Sequence, residues 1–178
     1  MVKVSVDLST SGGSIAVGDL IGEVAARTSG GALSFGRIGG PVNGNTSGGS
    51  ISLAGSRGKA VLHTSGGGIT VDDAAGEVEA STSGGSVQVN RASGRVSAFL
   101  SAQPNESCRL STSGGSINVQ LARNLRVDVD ASTSGGSVSS DFPLPTSGDG
   151  HSLRAGINGG GPLLHLRTSG GGIRIQKR

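Results

Sequence analysis

The sequence predicts an all-β fold, a single-chain β-solenoid (β-helix) with about 18 residues per turn and two main strands per rung. Three observations carry this expectation. Thr-Ser-Gly-Gly recurs at Thr10, Thr28, Thr46, Thr64 and Thr82, each eighteen residues after the last, and returns at Thr112, Thr133 and Thr168. Two apolar columns, nine residues apart in phase, run through the repeats. Aromatic residues make up 2% of the 178, with Trp and Tyr absent, so the core has to be thin and built from small aliphatic side chains.

The first strand of each rung follows the glycine pair. Ile15, Leu33, Ile51, Ile69 and Val87 form one column, and Val17, Phe35, Leu53, Val71 and Val89 form the next. Ala16, Ser34, Ser52, Thr70 and Gln88 separate them, which is the period-two alternation of a strand with one dry face. The second strand carries Val24, Val42, Ala60, Val78 and Val96, then Ala26, Gly44, Leu62, Ala80 and Ala98. Where the first of these columns shrinks to Ala60, its neighbour grows to Leu62, as a filled core requires. Six-residue steps from Ile15 meet Gly39, Arg57, Arg27 and Asn45, so a three-sided coil of hexapeptides is excluded.

Glycines mark the corners. Gly22, Gly40, Gly58, Gly76 and Gly94 precede the second strand, where the chain needs positive φ or a tight backbone approach. Thr28 and its copies continue the inward alternation of residues 24 and 26. The eight threonines therefore read as a structural ladder whose hydroxyls bond a corner amide or the next threonine. Outward, Asp19 lies under Arg37, Asp73 under Arg91, Lys59 under Glu77 and Glu77 under Arg95. At a rung spacing of about 4.8 Å these are expected to pair as register-setting ion pairs.

The chain reads as one domain over residues 1–178, with regular rungs over 4–100 and looser rungs with loop excursions over 101–178. Residues 102–107 lengthen one rung to thirty residues, and further loops fall at 142–150 and 159–162. Leu164, Leu166 and Thr168 repeat the phase of residues 24, 26 and 28, and Ile173 and Ile175 close the last rung.

Several kinds of chemistry find little support in the residues. Net charge is +3 and dispersed, and base-stacking rings are scarce, so no nucleic acid is expected as partner. Cys108 is the one cysteine and reads as a small apolar strand residue. His63, His151 and His165 stand apart from one another, so no metal is expected, and His63 and His165 read as solvated. Calcium-binding β-rolls also turn every eighteen residues, but they need aspartates after their glycines, and here Ser, Ala or Gly fills those places. Glu23 and Glu77 share a column three rungs apart, roughly 14 Å, too far for a glycosidase pair. Each Gly-Gly opens a strand and not a helix, so nucleotide binding loses its physical basis and no cofactor is expected. An ice-binding array needs outward threonines, and the phase turns them inward. No apolar run reaches membrane-spanning length, so no insertion of this chain into a membrane is expected, and Met1-Val2-Lys3-Val4 does not read as a signal peptide.

The repeated Thr-Ser-Gly-Gly-Ser-Ile/Val-x-Val, followed by Gly-x-Val-x-Ala-x-Thr, resembles the bacterial adhesin-type β-solenoid family, also called the toastrack domain. Leu164-His-Leu-Arg-Thr-Ser-Gly-Gly-Gly-Ile173-Arg-Ile is similar to that family's last rung, and Val127-Asp-Val-Asp-Ala-Ser-Thr-Ser-Gly-Gly-Ser-Val138 to its penultimate one. The resemblance implies a one-piece solenoid displayed outside the cytoplasm or at the cell surface, with no catalytic residue to carry over.

The expectation is thus a non-enzymatic structural or adhesin-like module that presents side-chain columns and two loops, 101–107 and 141–151, to a protein or glycan partner. An alternative is a filament subunit, a homo-oligomer stacked end to end through open strand edges. A carbohydrate-active solenoid enzyme is the rival from another class, and an ice-binding solenoid is a third reading.

Overall fold

The computed structural model describes residues 4–144 and 150–178. Among these residues every regular element is a strand. The first rungs comprise β1 (Val4–Thr10), β2 (Ile15–Val17), β3 (Gly22–Thr28), β4 (Leu33–Ile38), β5 (Val42–Thr46) and β6 (Ile51–Ser56). They continue through β7 (Ala60–Thr64), β8 (Ile69–Ala74), β9 (Val78–Thr82), β10 (Val87–Ala92), β11 (Val96–Leu100) and β12 (Cys108–Thr112). The last are β13 (Ile117–Leu121), β14 (Val127–Thr133), β15 (Val138–Ser140), β16 (Ser152–Ile157), β17 (Leu163–Thr168) and β18 (Ile173–Lys177).

The strands form two nine-stranded sheets that face each other. One, here sheet A, runs β1-β3-β5-β7-β9-β11-β13-β18-β15; the other, sheet B, runs β16-β14-β17-β12-β10-β8-β6-β4-β2. Through β11 the register is a step of eighteen: Val24 pairs with Val42, Val42 with Ala60, Ala60 with Val78 and Val78 with Val96. From Val24 and Leu33 onward the inward columns bury almost completely between the sheets, while Ile15 and Val17 on the edge strand are partly buried. Volume is conserved locally. A methyl group on Gly44 would lie 3.0 Å from the Phe35 ring and 3.2 Å from Leu62, so the missing side chain makes room for two large ones.

The second half departs from the expected coil in two ways. First, the chain changes phase at residues 101–107. Before this loop, Thr-Ser-Gly-Gly carries the chain from sheet A to sheet B; after it, β12 lies in sheet B and the motif at Thr112 carries the chain back to sheet A. The thirty residues from Thr82 to Thr112 are a turn and a half with a short excursion, not one lengthened rung. Leu100 takes the place above Thr82, and Leu110 stacks on Val89.

Second, the rung that closes the sequence does not close the solenoid. β17 sits between β12 and β14, and β18 sits between β13 and β15. The rung 163–177 is thus inserted between two rungs that precede it in the chain. Every rung carries the same inward pattern, so nothing in the periodicity dictates which one stacks on which.

At the far end the edge strands are β15 in sheet A and β16 in sheet B. β16 adds antiparallel to the outer edge of β14 and buries Leu153 and Ile157, while Phe142 and Leu144 pack on the core from the other side. Residues 145–149 of the expected 141–151 loop lie outside the described residues.

Candidate functional site

The repeat motif is a backbone-bonding device. Thr28, Thr46, Thr64 and Thr82 are buried, and each Oγ1 donates to the carbonyl of the second motif glycine one rung back: Gly13 at 2.9 Å, Gly31 at 2.8 Å, Gly49 at 2.7 Å and Gly67 at 2.9 Å. Each also accepts from an amide in its own corner, as Gly67 N to Thr64 Oγ1 at 3.2 Å. The threonines do not bond one another; the carbonyl one rung back replaces the next hydroxyl. Thr10, on the outermost rung, is half-buried.

The eight threonines form two ladders on opposite edges. Thr112 donates to Gly94 at 2.8 Å, Thr168 to Gly115 at 2.7 Å and Thr133 to Gly171 at 2.6 Å. This second ladder starts on the corner glycines Gly22, Gly40, Gly58, Gly76 and Gly94, and its order in space is 112, 168, 133. Where a further threonine would complete it, His151 Nδ1 lies 2.6 Å from the Gly136 carbonyl. We expect Thr64→Val, which takes the hydroxyl from the Gly49 carbonyl and the Gly67 amide, to cost about 1–3 kcal/mol, and Thr64→Ser to cost less. Urea unfolding of the two variants measures the difference.

The corner glycines answer to crowding more than to φ. Of the five, Gly22 alone has a positive φ, 155°. A methyl group on Gly40, Gly76 or Gly94 would lie 2.4–2.5 Å from the carbonyl oxygen of the glycine beneath.

Of the four stacked charge pairs expected, one forms a side-chain bridge among the described residues. Lys59 Nζ lies 3.7 Å from Glu77 and 3.2 Å from Glu79. Asp19 instead accepts from the Arg37 amide at 2.8 Å. Asp73 and Arg91 sit side by side in register, and neither they nor Glu77 and Arg95 come within bridging distance. Exposed pairs gain little and lose side-chain entropy, which explains why stacking alone does not bring them together.

Among the described residues, one polar cluster is not revealed by the sequence. Because β17 inserts beside β14, Arg109, His165, Asp130 and Arg154 fall in one row across four strands on the outer face of sheet B. Asp130 Oδ1 accepts from Arg154 Nε at 3.2 Å, and Asp130 Oδ2 lies 3.5 Å from His165 Nδ1. His165 Nε2 accepts from Arg167 Nε at 2.7 Å. The imidazole is 20% exposed, so it is not the solvated side chain expected from strand alternation.

Desolvation by the surrounding sheet holds the His165 pKa below the ordinary 6.5, with Arg167 and Arg109 adding to the effect and Asp130 opposing it. The folded chain therefore binds this proton less readily than the unfolded one. The contribution to stability is full above pH 6.5 and is lost as pH falls below that value. His165→Gln is expected to flatten the decline in melting temperature on acidification from pH 6.5 to about pH 5.

Other candidates resolve more simply. Cys108 is buried in the column above Val87; burial pushes its thiol pKa up, so it is a poor nucleophile at neutral pH. An open depression of about 580 Å³ on the sheet B to sheet A edge includes Asp19 and Asp73, three rungs apart in one column. At roughly 14 Å they are not a glycosidase pair. No group of three His, Cys, Asp or Glu side chains able to hold a metal occurs among the described residues.

The irregular loops are pinned. Gln103 clamps the backbone of Arg126, donating to its carbonyl at 2.8 Å and accepting from its amide at 2.9 Å. Asn158, at φ 52°, donates to the carbonyls of Arg123 at 2.8 Å and Leu125 at 2.7 Å. Loops 101–107, 122–126 and 158–162 thus lie together on the edge that the first threonine ladder occupies in the earlier rungs.

The family model described as Toastrack DUF4097 matches residues 3–175. The chain belongs to that family. Its two facing sheets of stacked rungs are those of a Toastrack β-solenoid. No curated protein and no solved structure matches this Toastrack chain. No helix among its described residues is long and apolar enough to cross a membrane.

Proposed function

We propose that this chain is a non-enzymatic, adhesin-like scaffold that displays fixed side chains and pinned loops to a partner outside the cytoplasm. One observation carries the reading. The closest approach to catalytic chemistry is the Asp130–His165 pair, and the lone pair a general base would need, on Nε2, is taken by Arg167. The buried threonines of the repeat are likewise committed to backbone groups. What remains for a partner lies on a stiff exterior, where loops 101–107, 122–126 and 158–162 are held by side-chain clamps. The test is a screen of the purified chain against hydrolase substrates alongside glycan and protein arrays. Saturable array binding without turnover is expected. Product formation that vanishes in His165→Ala would overturn the reading.

Self-association is the second reading. Among the described residues the outer edges of β1 and β2 are unpaired, and Val6, Leu8, Ile15 and Val17 beneath them are only partly buried. At the other end the edge strands are β15 and the antiparallel β16, so the two ends do not match as successive parallel rungs, which favours pairing of two β1/β2 ends over an indefinite filament. Electron microscopy at several concentrations distinguishes these. Uniform single particles throughout count against both.

A further inference from the structure

We infer that the outer face of sheet B around His165 binds an acidic polysaccharide through Arg109, Arg154 and Arg167. The inference rests on reading the chain as a binding module and names the class of partner.

Charge is the first ground. Residues 1–100 hold seven basic and seven acidic side chains, while residues 101–178 hold eight and five, so the whole net charge of +3 belongs to the later half. On this face the three arginines are exposed and stand against Asp128 and Asp130. Asp130 is already shared between Arg154 and His165. Arg109 has no ion pair among the described residues.

Preorganisation is the second. Arg154 and Arg167 are each tethered through Nε, to Asp130 and His165 respectively, which leaves both terminal nitrogens of each guanidinium for a ligand. A fork fixed in this way loses less entropy on meeting a carboxylate or sulfate. The next row of the face adds hydroxyls: Ser111 and Ser132 flank Arg167 in register, and Ser152 pairs with Ser132.

Shape selects the ligand. Arg109 and Arg154 are three strands apart, roughly 14 Å on a flat sheet. No single small oxyanion spans that distance, whereas a chain carrying oxyanions at intervals does. Nucleic acid is a chain of that kind, but it binds single-stranded on aromatic platforms. Here Phe35 and Phe142 are buried and the Arg178 guanidinium covers the Phe99 ring at 4.9 Å.

The test is a titration of the full chain at low salt with four probes of matched length: a sulfated glycosaminoglycan oligosaccharide, an oligogalacturonate, a neutral dextran oligosaccharide and a single-stranded oligonucleotide. Binding of both acidic saccharides and not of dextran is expected, weakening as salt rises. The double variant R109Q/R167Q is expected to bind at least about tenfold more weakly. A control double variant, R27Q/R37Q, removes the same charge from exposed sites in the earlier rungs and should bind within about twofold of the parent. No binding of either acidic saccharide, an equal loss in the control, or equally tight oligonucleotide binding overturns the inference. A chain that binds array partners while ignoring both acidic saccharides sinks this inference and spares the binding-module reading.

Discussion

Leu166→Ala is expected to destabilise the chain by about 3 kcal/mol, and Ile15→Ala by no more than half of that. Both residues occupy an inward column of sheet B, and both sit in a rung at one terminus of the sequence. Position along the chain alone would make the C-terminal rung a frayed end. In the fold, Leu166 is fully buried, with Leu110 on one side and Ala131 on the other. Ile15 lies on an edge strand and is only partly buried. The cavity left by truncation is therefore enclosed in one case and open to water in the other. Cooperativity sharpens the contrast, because loosening rung 163–177 leaves both of its neighbouring rungs unpaired. Urea denaturation of the two variants measures the pair. Hydrogen exchange adds a second readout: in Leu166→Ala the amides of β12, β13 and β14 should lose protection together. Equal costs for the two variants would show that the last rung lies at the end of the stack.

Gly49→Ala is expected to cost at least about 3 kcal/mol, while Gly18→Ala stays within about 0.5 kcal/mol of the parent. Backbone conformation is not the reason, because Gly49 has no positive φ. A methyl group there would lie 2.1 Å from the Gly31 carbonyl oxygen and 2.4 Å from its carbon. Those atoms are backbone and cannot rotate aside, so two rungs would have to separate. That shift would also pull Thr64 off the Gly49 carbonyl it now bonds at 2.7 Å. At Gly18 the same methyl would meet nothing within 4 Å. Melting curves of the two variants decide the matter. If Gly49→Ala melts with the parent, the tight approach of stacked corners does not hold the rungs together.

Much of the molecule was legible from residue spacing. Ile15, Leu33, Ile51, Ile69 and Val87 stack in the order the period requires, because inward side chains of like shape pack best on one another. The inward turn of Thr28 followed from strand alternation, but its partner did not. Whether a hydroxyl meets another hydroxyl or a carbonyl depends on corner geometry that alternation does not encode. The His165 cluster was not legible at all. Asp130 lies thirty-five residues before His165, and the two meet only because β17 enters beside β14.

The sequence by itself determined the rung: its length, its two strands, its dry face and its glycine corners all follow from local alternation and a repeated period. The tertiary structure alone decided the order in which the later rungs stack and the edge on which each Thr-Ser-Gly-Gly lies. The physical reason is degeneracy. Rungs with the same inward columns bury almost the same surface on any neighbour, so periodicity does not rank one stacking order over another. The clamp of Gln103 on Arg126, the bonds of Asn158 to the 123–125 turn and the antiparallel addition of β16 distinguish them, and each joins residues far apart in the chain.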